Sequence, residues 1–232
     1  MKKILGVAAV AVMFASSMFA FGFKAVGARL GANFGAGTKL AGDYTTYDNN
    51  TSKKGGNVGF DIGAYAMFDI TQFDFGTLYL QPELLFNFNN GYHTEYYNGL
   101  GSAKIYTHTL DLPVLVTLQV PLGKMFEVGG GLGLEFSLPL KADGDITILG
   151  NTSKLSSGCD KLTAKPNFGM VIDANGKVFF GEKKNIGAVL DMRYTLDFTK
   201  TKFRFKSGST TLEGDVFTRR FLTISAGAEY RF

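Results

Sequence analysis

From Lys24 onward, apolar residues recur at every second position of the chain, which is the period of a β-strand. In eight segments they occupy the even-numbered positions, and the odd-numbered positions between them are mostly polar or small. The segments cover residues 26–34, 58–68, 78–88, 110–120, 126–138, 166–180, 186–198 and 222–232. The sequence therefore predicts eight strands, each with one apolar and one polar face.

Two architectures contain strands of this kind. A soluble sandwich or a lipocalin-like barrel buries the apolar face, whereas an outer-membrane barrel turns it toward lipid. The segments reach the length of roughly ten residues that a tilted strand needs to cross a bilayer. Aromatic residues such as Phe34, Phe88 and Phe180 lie near the segment ends, as in membrane-interface girdles. Both features favour the membrane barrel.

The connections between the segments alternate in length. Residues 70–76, 121–124 and 181–185 are short connections, and residues 35–57, 89–105, 140–164 and 199–219 are long ones. Outer-membrane barrels have short periplasmic turns and longer extracellular loops. We therefore predict an all-β protein of the bacterial outer membrane, an eight-stranded antiparallel transmembrane up-and-down β-barrel. Its four long loops would be extracellular and both termini periplasmic.

The first twenty residues are typical of a secretory signal peptide. Lys2 and Lys3 precede an apolar run over residues 4–14, and small residues follow up to Ala20. The alternative is a retained membrane anchor, but the apolar run is short for a membrane span. We predict export through the inner membrane, with a signal peptide over residues 1–20 and the barrel domain over residues 21–232.

Composition narrows the classes of protein further. The chain of 232 residues contains 22 Phe and 10 Tyr, too many apolar rings for a disordered protein. A single cysteine, Cys159, excludes a disulfide-stapled domain and leaves a free or intermolecular thiol in a long loop. The formal net charge is +4 without a block of like charge, so no nucleic-acid partner is expected.

The last segment resembles the C-terminal signature of outer-membrane barrels, which the barrel-assembly machinery reads. Tyr230 and the terminal Phe232 are the aromatic residues that carry this resemblance. Residues 24–232 also resemble the PorT-like family of eight-stranded barrels, through Gly31, Asn33 and residues 80–84, 110–114, 129–133 and 192–194. This family resemblance implies a fold and a location, but no activity.

The odd-numbered positions place many charged residues in the predicted lumen. Burying charge is costly unless it is paired, so we predict an ion-pair network. The predicted network contains Arg29, Asp61, Glu83, Asp111, Glu127, Asp191, Arg193, Glu229 and Arg231, and the same parity adds Glu135, Asp173 and Lys177. We expect the three acids Glu83, Asp111 and Asp191 to bridge to arginines, namely Arg29, Arg193 or Arg231. Such a network either plugs and rigidifies the barrel or lines a narrow, cation-preferring path.

Few residues offer catalytic or ligand chemistry, and we expect no metal, no cofactor and no enzymatic activity. His93 lacks the companions that a zinc site needs. Some eight-stranded barrels are lipid-modifying enzymes, and His108 with Ser102 or Ser137 is the candidate pair for such chemistry. Residues 129–133 contain Gly-X-Gly inside a strand without a following helix, so they are not a dinucleotide loop.

One surface feature suggests a ligand. The even positions Lys200, Lys202, Arg204 and Lys206, joined by Arg220, would form a basic stripe above the outer leaflet, where lipopolysaccharide phosphates lie. The alternative is an ordinary solvated hairpin. The predicted role is structural or a surface interaction through the four loops, with outer-membrane lipid and surface partners. A small-solute porin and an outer-leaflet lipid-modifying enzyme are the alternatives.

Overall fold

A computed structural model describes residues 22–36, 38–40, 51–96, 101–158 and 160–232. The predicted signal peptide and Cys159 lie outside the described residues. The described ranges contain fourteen strands, namely β1 Phe23–Phe34, β2 Lys39–Leu40, β3 Thr51–Gly56, β4 Val58–Phe73, β5 Gly76–Tyr96, β6 Gly101–Leu122, β7 Phe126–Ile148, β8 Asn151–Lys154, β9 Lys161–Ala164, β10 Asn167–Phe180, β11 Ile186–Asp197, β12 Thr201–Ser207, β13 Thr210–Thr218 and β14 Arg220–Arg231. A single-turn 3-10 helix covers Leu155–Gly158. Over the described ranges, no helix is long and apolar enough to cross a membrane.

Eight of these strands close into a barrel. Their order is β1-β4-β5-β6-β7-β10-β11-β14, and β14 pairs again with β1. Every pairing is antiparallel, and each barrel strand covers one of the eight predicted segments to within one residue. The predicted fold class is therefore confirmed. The end with the short turns is termed the periplasmic end below, and the opposite end the outer end.

The two faces of the barrel wall differ as the alternation predicts. On β1, Leu30 is 59% exposed on the outside, whereas the adjacent Arg29 is 6% exposed in the interior. Ile62, Leu132 and Leu190 are likewise exposed around the wall. Apolar side chains that point outward have no protein core to contact, so this is the distribution of a barrel solvated by lipid and not of a soluble sandwich.

The long connections differ from the prediction, because they contain strands where loops were expected. β5, β6 and β7 extend beyond the predicted segments, by up to ten residues at the outer end. The pairing of β5 with β6 shifts between Asn87 and Asn90, and the intervening Asn89 has a φ of 67°. Such a bulge reverses the faces of the strand beyond it. Accordingly the even-numbered Tyr92 is buried at 3% exposure, so the parity of residues 78–88 does not continue above the bulge.

A second sheet lies at the outer end, made of β2, β13, β12 and β9. Its inner face packs against the extended strands of the barrel through a separate apolar core. The buried members of this core are Tyr92, Ala142, Phe203, Val216 and Phe217. The side chains of Phe203 and Phe217 meet edge to face, with ring centroids 6.1 Å apart. The outer end therefore carries a folded, apolar-cored element, which we term the outer sheet.

The glycines of β7 are explained by close packing in the lumen. Gly129, Gly131 and Gly133 lie opposite Gln119, Thr117 and Leu115 of β6, and a Cβ added at any of them would overlap the facing side chain. These glycines therefore make room for bulkier residues on the adjacent strand.

Candidate functional site

The middle of the lumen contains a network centred on Glu83. Arg193 donates two hydrogen bonds to its carboxylate, at 2.6 and 2.9 Å, and Arg29 donates another. Arg29 also lies 3.6 Å from Asp191, and Arg193 lies 3.5 Å from Asp173. All five side chains are almost fully buried. The contacts therefore join β1, β5, β10 and β11 across the barrel.

A second network lies nearer the outer end, around Arg219. Its guanidinium donates to both carboxylate oxygens of Asp197, at 2.7 and 3.1 Å, and to Ser137 at 2.5 Å. Asp111 and Glu135 lie 3.8 and 3.5 Å from it. Among the described residues, Arg219 is the one cation in contact with Asp111. The expected partners of Asp111 were Arg29, Arg193 or Arg231, and that expectation is wrong.

The third network lies at the periplasmic end. Arg231 forms two hydrogen bonds with Glu127, at 2.6 and 2.5 Å, and a further one with Glu229 at 3.0 Å. Glu229 also accepts hydrogen bonds from Lys177 at 2.6 Å and from Tyr65 at 2.9 Å. Beside it Ala25, Tyr65, Met67 and Tyr79 form a small apolar cluster. Arg231 therefore pairs with acids of the periplasmic-end network, and not with Glu83 or Asp191 of the network in the middle of the lumen.

Asp61 is the predicted network member without an ion pair in the described part of the chain. It is 3% exposed and one of its carboxylate oxygens has no hydrogen-bond partner. Asp61 lines a cavity of about 10 Å³ together with Arg29, Asp191, Arg193 and Thr195. This volume is enough for about one water molecule. The side chains around Asp61 therefore leave little free space in this part of the lumen.

Solved structures share this fold. The outer membrane protein OprG from Pseudomonas aeruginosa is similar with a TM-score of 0.52 and 13% identity, over 91% of this chain and 97% of that chain. The chain therefore has the fold of an outer-membrane β-barrel. A major outer membrane protein from Thermus thermophilus matches with a TM-score of 0.46 and 14% identity, over 89% of this chain and 99% of that one. Neisserial surface protein A matches with a TM-score of 0.43 and 12% identity, over 90% of this chain and 99% of that one.

No protein-family model matches the chain, and no curated protein sequence matches it. At 13% identity, the likeness to OprG shows the fold and leaves the role open.

Three members of the predicted basic stripe, Lys202, Arg204 and Lys206, lie on the outward face of the outer sheet. Lys200 and Lys202 lie 3.4 Å from Asp215, and Arg204 donates to Glu213 at 2.6 Å. Hydrogen bonds from Lys165 and Arg204 lower the pKa of the exposed Glu213 carboxyl. Three of the cations are therefore paired with acids of β13.

The remaining two members of the stripe differ from those three. Lys206 is exposed and pairs in register with Lys161 of β9, so two like charges face each other across the sheet. Arg220 is half-buried, and its backbone N–H donates to the hydroxyl of Thr38 at 3.1 Å. Lys161 was not anticipated as part of this surface.

His108 contacts neither of its two candidate serines. Its Nδ1 accepts a hydrogen bond from the backbone N–H of Asn89 at 3.2 Å, and its ring contacts Phe88 and Tyr106. Ser137 lies inside the barrel, where it donates to Glu135 at 3.2 Å. Ser102 lies six positions away along the same strand, opposite Thr147. Neither candidate pair is brought together.

The C-terminal aromatics lie on the outside of the barrel at its periplasmic end. Tyr230 is 43% exposed and Phe232 67% exposed, with ring centroids 5.1 Å apart. Phe23 of β1 contacts Phe232 at 4.8 Å and Phe68 of β4 at 5.4 Å. These rings form a continuous aromatic belt across three neighbouring strands.

Proposed function

We propose that this outer-membrane barrel has a structural and surface-interaction role, carried out by the outer sheet and not by transport through the lumen. The observation that carries the proposal is a pair of buried features at the outer end. The ion-pair network around Arg219 lies across the lumen, and an apolar core that includes Phe217 lies under the outer sheet. A folded sheet holds its surface side chains in a defined arrangement, so binding a partner costs less conformational entropy than it would for a flexible loop.

The partner chemistry that the outer sheet favours is phosphate. Lys161, Lys165, Lys202, Arg204 and Lys206 share its outward face, whereas the opposing acids on that face are Glu213 and Asp215. An excess of ammonium and guanidinium groups near the outer leaflet fits the phosphates of lipopolysaccharide. The facing Lys161 and Lys206 would gain most, because an anion between them removes their mutual repulsion.

We expect the fourfold charge reversal of Lys200, Lys202, Arg204 and Lys206 to Glu to lower lipopolysaccharide retention at least roughly ten-fold, since each basic residue near an anionic surface contributes about 1 kcal/mol. Retention is measured as lipopolysaccharide co-purifying with the folded barrel at low salt. The matched control is Glu213→Gln with Asp215→Asn, which breaks the same ion pairs but keeps the cations. Unchanged retention in the reversal variant counts against the proposal.

The proposed role implies a closed pore. We expect single-channel recordings of the purified barrel in planar bilayers to show no conductance at any voltage, because the ion-pair networks leave a cavity for about one water molecule. Discrete, cation-selective steps would support the porin alternative instead.

The proposal also covers the export, membrane insertion, family relationship and enzymatic activity of the chain. We propose that the chain is exported by its N-terminal signal peptide and inserted by the barrel-assembly machinery through Tyr230 and Phe232. We also propose that it is related to the PorT-like family and is not an enzyme. The lipid-modifying alternative is tested by His108→Ala, which leaves lipid A composition unchanged if the proposal is correct.

A further inference from the structure

A cleft of about 540 Å³ lies at the periplasmic end of the barrel. It is lined by Lys24 of β1, by Lys183, Lys184 and Asn185 of the turn before β11, by Tyr230 and Arg231 of β14, and by Phe232, which follows β14. Two backbone hydrogen bonds join these pieces, from Arg231 N–H to Asn185 O at 2.8 Å and from Phe232 N–H to Lys24 O at 3.0 Å. The cleft therefore lies across the seam where the first and last strands close the barrel.

Three cations of the cleft are available to a ligand. Lys24, Lys183 and Lys184 are exposed, and within the described part of the chain none of them forms an ion pair. Arg231 differs, because Glu127 and Glu229 already occupy its guanidinium. Glu182 is the acid in the same turn. The cleft thus has an excess of positive charge that the protein itself leaves uncompensated.

The floor of the cleft is aromatic and belongs to the lipid-facing surface. Tyr230 and Phe232 lie in the aromatic belt, and the hydroxyl of Tyr230 accepts a hydrogen bond from Asn185 at 3.3 Å. Aromatic belts lie at the level of lipid headgroups. A molecule in this cleft therefore contacts cations on its polar side and rings on its apolar side, which is the division within a phospholipid.

We propose that this cleft binds the headgroup of an anionic phospholipid of the inner leaflet. The lipid phosphate pairs with the ammonium groups of Lys24, Lys183 and Lys184, and its acyl chains descend along Tyr230 and Phe232. Because the ligand contacts both β1 and the β11–β14 pair, it stabilises the closure of the barrel. A soluble phosphate has the same charge but lacks the acyl chains, so it gains only part of these contacts.

The test is native mass spectrometry of the purified barrel in a neutral detergent, with phosphatidylglycerol or phosphatidylcholine added. We expect phosphatidylglycerol to be retained at least roughly ten-fold more tightly, and this preference to vanish in the triple variant Lys24→Gln, Lys183→Gln, Lys184→Gln. The matched control is Lys124→Gln, which removes an exposed lysine from another periplasmic turn. Lys24→Gln with Lys183→Gln leaves Lys184 and its φ of 50° untouched, and serves if the triple variant does not fold.

Three results would overturn the proposal. They are equal retention of the two lipids by the unmodified protein, an unchanged preference in the lysine variants, and displacement of the lipid by an equal concentration of glycerol 1-phosphate. The last result identifies a soluble phosphate as the ligand, in place of a phospholipid.

Discussion

Replacing Glu83 by Gln is expected to lower the free energy of unfolding by about 3–5 kcal/mol, the cost of breaking a buried ion pair. The carboxylate of Glu83 accepts hydrogen bonds from Arg29 and from both terminal nitrogens of Arg193, and all three side chains are buried. Gln preserves the shape but removes the charge, so two guanidinium groups lose the anion they share. The remaining acids, Asp173 and Asp191, contact these arginines at 3.5 Å or more and compensate only in part.

The measurement is urea unfolding of the protein refolded into lipid vesicles, followed by far-UV circular dichroism because the chain contains no Trp. Glu127→Gln is the matched control. Glu127 also accepts two hydrogen bonds from one arginine, Arg231. The side chains of Glu127 and Arg231 are, however, 17% and 20% exposed at the periplasmic end. Water replaces part of that interaction, so a loss of only about 1–2 kcal/mol is expected. Equal losses in the two variants would contradict a central role for Glu83.

The wall of the barrel follows from the sequence because lipid and lumen impose a strict alternation on each strand. Leu30 and Arg29 differ in polarity for that reason, and eight such segments were enough to predict the closed barrel. The alternation ends at Asn89, where one extra residue reverses the strand. Asn tolerates a positive φ, and Asn89, Asn90 and Gly91 are residues typical of turns, so the sequence is compatible with a loop at this point as well as with a bulge. The outer sheet was missed for a different reason. Its strands β2, β9, β12 and β13 lie within residues 35–57, 140–164 and 199–219, which were assigned to long loops.

The pairings inside the lumen follow from the sequence only in part. Parity identifies which charges point inward, but the stagger of the strands decides which charges meet. Arg193 and Glu83 are 110 positions apart, and Arg219 and Ser137 are 82 apart. Arg219 itself was overlooked because the last segment was begun at Leu222. Extending the odd parity backward through Phe221 would have placed Arg219 in the lumen.

Replacing Arg219 by Met is expected to cost about 3–5 kcal/mol of unfolding free energy and to loosen the outer sheet. The substitution removes the guanidinium that Asp197, Asp111 and Glu135 share, and leaves three carboxylates buried together. Arg219 also lies between β13 of the outer sheet and β14 of the barrel, and its carbonyl accepts a hydrogen bond from Asp197 N–H at 3.1 Å. Limited proteolysis should therefore cut residues 199–219 faster in the variant.

Two further variants separate the lost ion pair from general damage. Arg220→Met removes the guanidinium of the neighbouring residue, which is half-buried on the outward face of β14. This substitution should change the free energy of unfolding by less than about 1 kcal/mol. Asp197→Asn combined with Arg219→Met should recover roughly 1–2 kcal/mol relative to Arg219→Met alone, because it removes one of the stranded charges. If the two substitutions are simply additive, the carboxylate of Asp197 is not held by Arg219. The ion pair between Asp197 and Arg219 would then contribute less than the packing of apolar lumen side chains such as Leu115 and Val171, which are fully buried.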